Sequence, residues 1–160
     1  VRVTRQKYYD IAYGKTAALF SLACVLGAKS VKGVPGWTDA AEEAGKQLGI
    51  AYQIYDDLCD WFMSEKDAGK TLGTDLLSGK QTFPLIAMMD DAEAEEFTSN
   101  LSIRKPDEII ERMKACGIKD ICAAEIGRRI KGAEKAVKGY PELSGKLLDF
   151  CAAMRELALG

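Results

Sequence analysis

Ile50-Ala51-Tyr52-Gln53-Ile54-Tyr55-Asp56-Asp57-Leu58-Cys59-Asp60-Trp61-Phe62 places three carboxylates within five residues of a stretch that is otherwise apolar. The apolar spacing over residues 45–63 predicts a helix. In that helix Asp56 and Asp60 stand one turn apart on one face, with Asp57 rotated by about 100° from Asp56. Acidic residues on a helix usually mark its solvated side. Here Ile50, Ala51, Tyr52, Ile54, Tyr55, Leu58, Trp61 and Phe62 surround the aspartates nearly all round and leave little room for such a side. Charges in apolar surroundings must be paired or coordinate a metal. Carboxylate oxygens in a chain with no His suit Mg²⁺, which keeps several waters and is held by one or two carboxylates together with substrate phosphates. The cluster therefore points to a metal site at Asp56, Asp57 and Asp60 and to a diphosphate substrate.

The rest of the chain reads as helices and fixes the class as all-α. Thr4 is placed to cap a helix running to Leu26 and ended by Gly27, and Thr38 to cap the helix that carries the aspartates. Gly33, Pro35 and Gly36 break the chain between them. Residues 64–79, rich in Gly, Ser, Thr and charge, read as a loop or short turns, and Pro84 fits the first turn of a helix through Met89. Residues 107–116, 118–137 and 143–157 read as three further amphipathic helices, with Gly117, Gly139 and Pro141 as breaks. No strand pattern, repeat or linker is evident, so residues 1–160 are expected to form a single helical domain.

Composition narrows the function classes. With 160 residues, 48% of them hydrophobic, the chain can bury a real core. A formal net charge of −2 supplies no basic surface for nucleic acid or an anionic membrane. No uninterrupted apolar run reaches the ~18–20 residues of a membrane span, so no transmembrane segment is expected, and the start lacks the order of a signal peptide. Cys24, Cys59, Cys116, Cys122 and Cys151 are odd in number and form no CxxC pair, which favours reduced thiols and a cytoplasmic protein. The absence of His excludes His-based triads and His zinc sites within the chain.

Several segments stand in a fixed order around the aspartates. Gly14-Lys15-Thr16-Ala17-Ala18-Leu19-Phe20 lies upstream and Tyr52-Gln53 just before them. Gly69-Lys70, Leu72-Gly73-Thr74-Asp75-Leu76 and Gly79-Lys80-Gln81-Thr82-Phe83-Pro84-Leu85 follow. In that order and spacing, from about Val3 to Met89, the chain resembles the trans-isoprenyl (polyprenyl) diphosphate synthase family. The resemblance implies an isoprenoid-synthase-type helical bundle, of which this chain looks like the carboxy-terminal half carrying the second aspartate-rich motif. It also implies a Mg²⁺-dependent prenyltransferase acting on an allylic diphosphate and isopentenyl diphosphate. The family's first aspartate motif and its basic isopentenyl-binding loop do not occur in these 160 residues. The chain alone is therefore expected to be inactive, and to form a homo-oligomer or to associate with the missing amino-terminal half.

The resemblance assigns Lys15 and Lys70 to the allylic diphosphate and Lys80 to support of the same anion. Each follows a Gly, and Lys15 opens an apolar run where a charge calls for an anion. A surface role fits Lys80 equally. Thr16 and Gln53 are polar residues on apolar helices. They either bond the backbone one turn back or turn their oxygens toward a developing allylic cation, the role that the resemblance supports. Asp75 suits an Asx turn or a metal-bound water. Met88, Met89, Met113, Met154, Phe20, Phe62, Phe83 and Phe150 read as core, and Arg128-Arg129 as a solvated helix face. Two other readings remain: a non-catalytic subunit or regulatory relative, and a plain helical interaction module.

Overall fold

The computed structural model describes residues 2–32, 34–62, 80–90 and 104–159. Among them are seven α-helices: α1 (Arg5–Ala12), α2 (Ala18–Lys29), α3 (Trp37–Phe62), α4 (Phe83–Met89), α5 (Pro106–Ala115), α6 (Ile118–Val137) and α7 (Gly145–Leu159). A π-helical turn, Tyr13–Ala17, joins α1 to α2 without a break. No strand occurs among the described residues. Residues 63–79, with Lys70 and Asp75, lie outside the described part.

The helix ends follow local chemistry. Thr4 caps α1 as expected, its Oγ1 accepting the Lys7 N–H at 3.2 Å. Helix α3 opens one residue before the expected cap. Gly36, at φ +76°, turns the chain into it. Pro84 and Pro106 occupy the first turns of α4 and α5, where a missing N–H costs nothing. Gly117, at φ +62°, separates α5 from α6.

The chain groups into two compact units, each built from two separate stretches. One comprises Val1–Tyr8 with Ile54–Ala123, the other Tyr9–Gln53 with Ala124–Gly160. Phe83, Ile86, Met88, Ile109, Met113, Ile118 and Cys122 are fully buried in the first unit. In the second, α2 lies against α3. A Cβ on Gly45 would stand 2.7 Å from the Phe20 carbonyl oxygen, and one on Gly49 would overlap Ala17. The Ser21 hydroxyl donates to the Glu42 carbonyl in the same seam. Ile126, Ile130, Ala133 and Val137 of α6 and Cys151 and Met154 of α7 complete this core.

Several expectations change, the first being that the opening helix does not end at Gly27 but runs through it to Lys29. Residues Arg5–Lys29 form one helix that is, by length and composition, long and apolar enough to cross a membrane, with a mean hydropathy of 1.5 over eighteen residues. Lys15 is the one charge between Asp10 and Lys29, and it had made the run look interrupted. The seam with α3 gives this helix the packing of a bundle element. Arg129 is not on a solvated face but 8% exposed, whereas Arg128 does face solvent. Phe150, read as core, is 38% exposed.

Candidate active site

The carboxylate cluster falls in the last two turns of α3, within the first unit. Asp56 is half-buried, Asp60 is 9% exposed and Asp57 only 1%. Helix geometry separates their roles. Asp56 and Asp60 share a face, and the rotated Asp57 points to a different environment. Its Oδ2 accepts the Tyr8 hydroxyl at 2.8 Å and the Phe83 backbone N–H at 3.1 Å. Among the described residues no three acidic or thiol groups gather so as to hold a metal ion, these three aspartates included. Asp56 and Asp60 do fit the Mg²⁺ pattern of one or two carboxylates completed by water and substrate phosphate.

The segment after the undescribed residues returns to this helix. Lys80 is exposed. Beyond it the Trp61 indole N–H donates to Thr82 Oγ1 at 2.9 Å, and the Val3 N–H donates to Gln81 Oε1 at 2.6 Å. Tyr8 packs on Phe83 with ring centroids 5.4 Å apart. Asp90, which follows α4, is bonded by Arg2 and Arg5. Cys122 lies in the same core. Burial, and then the Asp57 charge, push its thiol up to about 12, which makes it inert rather than nucleophilic.

The second unit holds Lys15, Thr16 and Gln53. Lys15 and Thr16 sit on the π-helical turn, a geometry that recurs at functional sites. Lys15 is exposed and Thr16 half-buried. Gln53 is 4% exposed, and its Oε1 accepts the Thr16 hydroxyl at 2.6 Å. The two polar residues read separately from the sequence are therefore bonded to each other. A second polar cluster escaped the sequence reading. The Tyr9 hydroxyl and Arg129 Nε both donate to Glu125 Oε1, at 2.9 and 2.8 Å. Arg129 lies 4.2 Å from the Tyr9 ring centre and reaches Gln47 Oε1 at 3.3 Å. Burial pushes the Glu125 carboxyl upward. Hydrogen bonds from Arg128, Arg129 and Tyr9 outweigh it and leave the pKa below the ordinary value.

The polyprenyl synthetase family model matches residues 1–117. The chain belongs to the polyprenyl synthetase family. An all-trans-nonaprenyl-diphosphate synthase (geranyl-diphosphate specific) of Rhodobacter capsulatus is 30% identical over 145 residues, covering 87% of this chain and 44% of the relative. The geranylgeranyl pyrophosphate synthetase of Pyrococcus horikoshii Ot3 superposes with a TM-score of 0.82 at 28% identity, over 96% of this chain and 50% of that one. A polyprenyl synthase of Caulobacter crescentus CB15, solved with calcium and isoprenyl diphosphate, gives 0.79 at 26% identity, over 98% and 48%. The chain thus spans about half the length, or less, of the relatives it matches. The all-α isoprenoid-synthase fold expected from the motifs is the fold of this family, and the match falls on the segments that carried the resemblance.

Proposed function

We propose that this chain supplies the allylic-diphosphate side of a trans-prenyl diphosphate synthase that joins an allylic diphosphate to isopentenyl diphosphate. The observation that carries the reading is the Asp56/Asp60 pair, one turn apart on the half-buried end of α3, in a member of this family. The Caulobacter polyprenyl synthase, solved with calcium and isoprenyl diphosphate, supports the reading.

In this reading Asp56 and Asp60 would hold Mg²⁺, with Asp57 the remaining member of the motif. When bound, the cation supplies positive charge that stabilises the departing pyrophosphate. Lys15 and Lys70 bind the same diphosphate, and Lys80 supports it from the segment that follows. Thr16 gives its only proton to Gln53, which leaves the hydroxyl oxygen's lone pairs for an electron-poor carbon. A neutral oxygen suits an allylic cation better than a base that would be alkylated. Isopentenyl diphosphate then attacks that carbon, and the departed pyrophosphate takes the final proton. No covalent enzyme intermediate is needed. The 160 residues act as one domain, with α1, α3 and α6 shared between the two units, in a homo-oligomer or with the other half of the fold.

Melting the chain with Mg²⁺ and inorganic pyrophosphate tests the reading. A ligand that binds only the folded state at about 100 times its Kd adds roughly 2.7 kcal/mol, a rise of ~5–10 °C for a chain of this size. Neither ligand alone should match the pair, and Asp56→Asn should abolish the rise. An unchanged melting temperature with both present would overturn the metal-diphosphate reading and favour the helical interaction module.

A further inference from the structure

Two donors from separate parts of the first unit converge on one oxygen of Asp57: the Tyr8 hydroxyl from α1 and the Phe83 N–H from the first turn of α4. First-turn N–H groups have no partner within their own helix. Thr82, the residue before α4, makes no side-chain cap, and its hydroxyl receives the Trp61 indole. Asp57 therefore does the capping from another helix. All the groups involved are buried, with Asp57 and Thr82 at 1%, Phe83 at 0%, Tyr8 at 5% and Trp61 at 6% exposure. These contacts fasten Thr82 and Phe83 to the end of α3, and the Val3 bond ties Gln81, next in sequence to Lys80, to the start of the chain.

We propose that Asp57 is a positioning residue rather than a metal ligand. It locks the chain's return at residues 82–83 onto α3, and Asp56 and Asp60 are the carboxylates that meet the cation. The inference rests on the metal-diphosphate reading for the second half of that statement and stands without it for the first. It has a chemical signature. The Tyr8 and Phe83 bonds both end on Oδ2, so an amide oxygen there can still accept both, more weakly than a carboxylate, whereas a carboxylate-to-amide change at a cation ligand removes the charge that holds the ion.

The test uses the full chain and two readouts. The first is amide hydrogen exchange at Phe83. Asp57→Asn should keep protection within about threefold of the parent chain, while Asp57→Ala should lose it by tenfold or more, as local opening at that bond becomes cheaper. Should Asp57→Ala not fold, Tyr8→Phe removes a single hydroxyl from the same oxygen, and its Phe83 amide should exchange measurably faster. The second readout is Mn²⁺ binding with inorganic pyrophosphate, followed by electron paramagnetic resonance. Asp57→Asn and Tyr8→Phe should bind as the parent does, and Asp56→Asn tenfold or more weaker. Mn²⁺ binding lost in Asp57→Asn as fully as in Asp56→Asn, with Phe83 still protected, would make Asp57 a ligand and overturn the proposal. Loss of Phe83 protection in Asp57→Asn would overturn it from the other side. If the parent chain bound no Mn²⁺, the metal-diphosphate reading would fall, and the amide exchange of the Asn and Ala variants would still decide whether Asp57 locks the segment.

Discussion

Single residues in this chain divide into those whose role follows from their neighbours in sequence and those whose partners are far away. Asp56 and Asp60 belong to the first kind, since one helical turn and an apolar context define them. In a complete synthase carrying this sequence, Asp56→Ala should lower kcat by at least ~10²-fold, a few kcal/mol of transition-state stabilisation. Steady-state assay with both diphosphates would show it, and an unaltered rate would remove the metal role. Asp57 belongs to the second kind. Its partners lie 49 and 26 positions away, beyond any periodicity. Arg129 was misread for the same reason, its Gln47 contact spanning 82 positions. Glu125, beside it, makes acid stability testable. Its folded pKa lies below the ordinary 4.5, so its contribution is complete above that value and lost as pH falls through the depressed one. The melting temperature should decline on the acid side below about pH 4.5, and less steeply in Glu125→Gln.

At the scale of elements, helix positions were legible where apolar spacing and Gly or Pro breaks agree, and less so at Gly27, which lies inside α2 rather than ending it. Helices α4 and α6 fall where expected, and α5 and α7 begin one and two residues away from the expected starts. What the pattern could not reveal was how closely two helices approach. Gly45 and Gly49 carry no such signal in the sequence, and in the structure each makes room for the backbone of the Arg5–Lys29 helix. Gly49→Leu should force that seam apart and cost about 1–3 kcal/mol or more. Urea denaturation would measure it. A similar change at Gly127, which has open space around it, should leave the midpoint unchanged or raise it, because a helical Gly is replaced by a better helix former.

For the whole molecule, the decisive quantity is the apolar surface left uncovered. Leu19, Leu22 and Leu26 recur at helical spacing on α2 with exposures of 71%, 52% and 60%. Beside them an apolar groove of about 590 Å³ runs past Phe20, Trp37, Leu147 and Phe150. Exposed apolar side chains beside an apolar groove are the material of association surfaces. The chain on its own should therefore bind hydrophobic dye and associate with rising concentration, as followed by analytical ultracentrifugation. It should show negligible elongation of an allylic diphosphate, since the first aspartate motif and the isopentenyl-binding loop are not in its sequence. A monodisperse monomer without dye binding would favour a self-sufficient module, and efficient turnover would refute the half-enzyme reading.

The π-helical turn at Tyr13–Ala17 has a consequence for how this helix tolerates change in length. Such a turn holds one residue more than an α-helix needs, so it acts as a phase shifter between the two ends of the rod. Deleting one of the five residues removes that surplus, so the rod can close up as regular α with everything downstream still in phase with α1. Forcing all five into regular α would instead turn everything downstream by about 100° relative to α1, and Ser21 would leave the Glu42 carbonyl. A one-residue deletion that spares Lys15 and Thr16 should therefore be absorbed at Tyr13–Ala17, whereas the same deletion within α2 would turn the rest of that helix out of the seam.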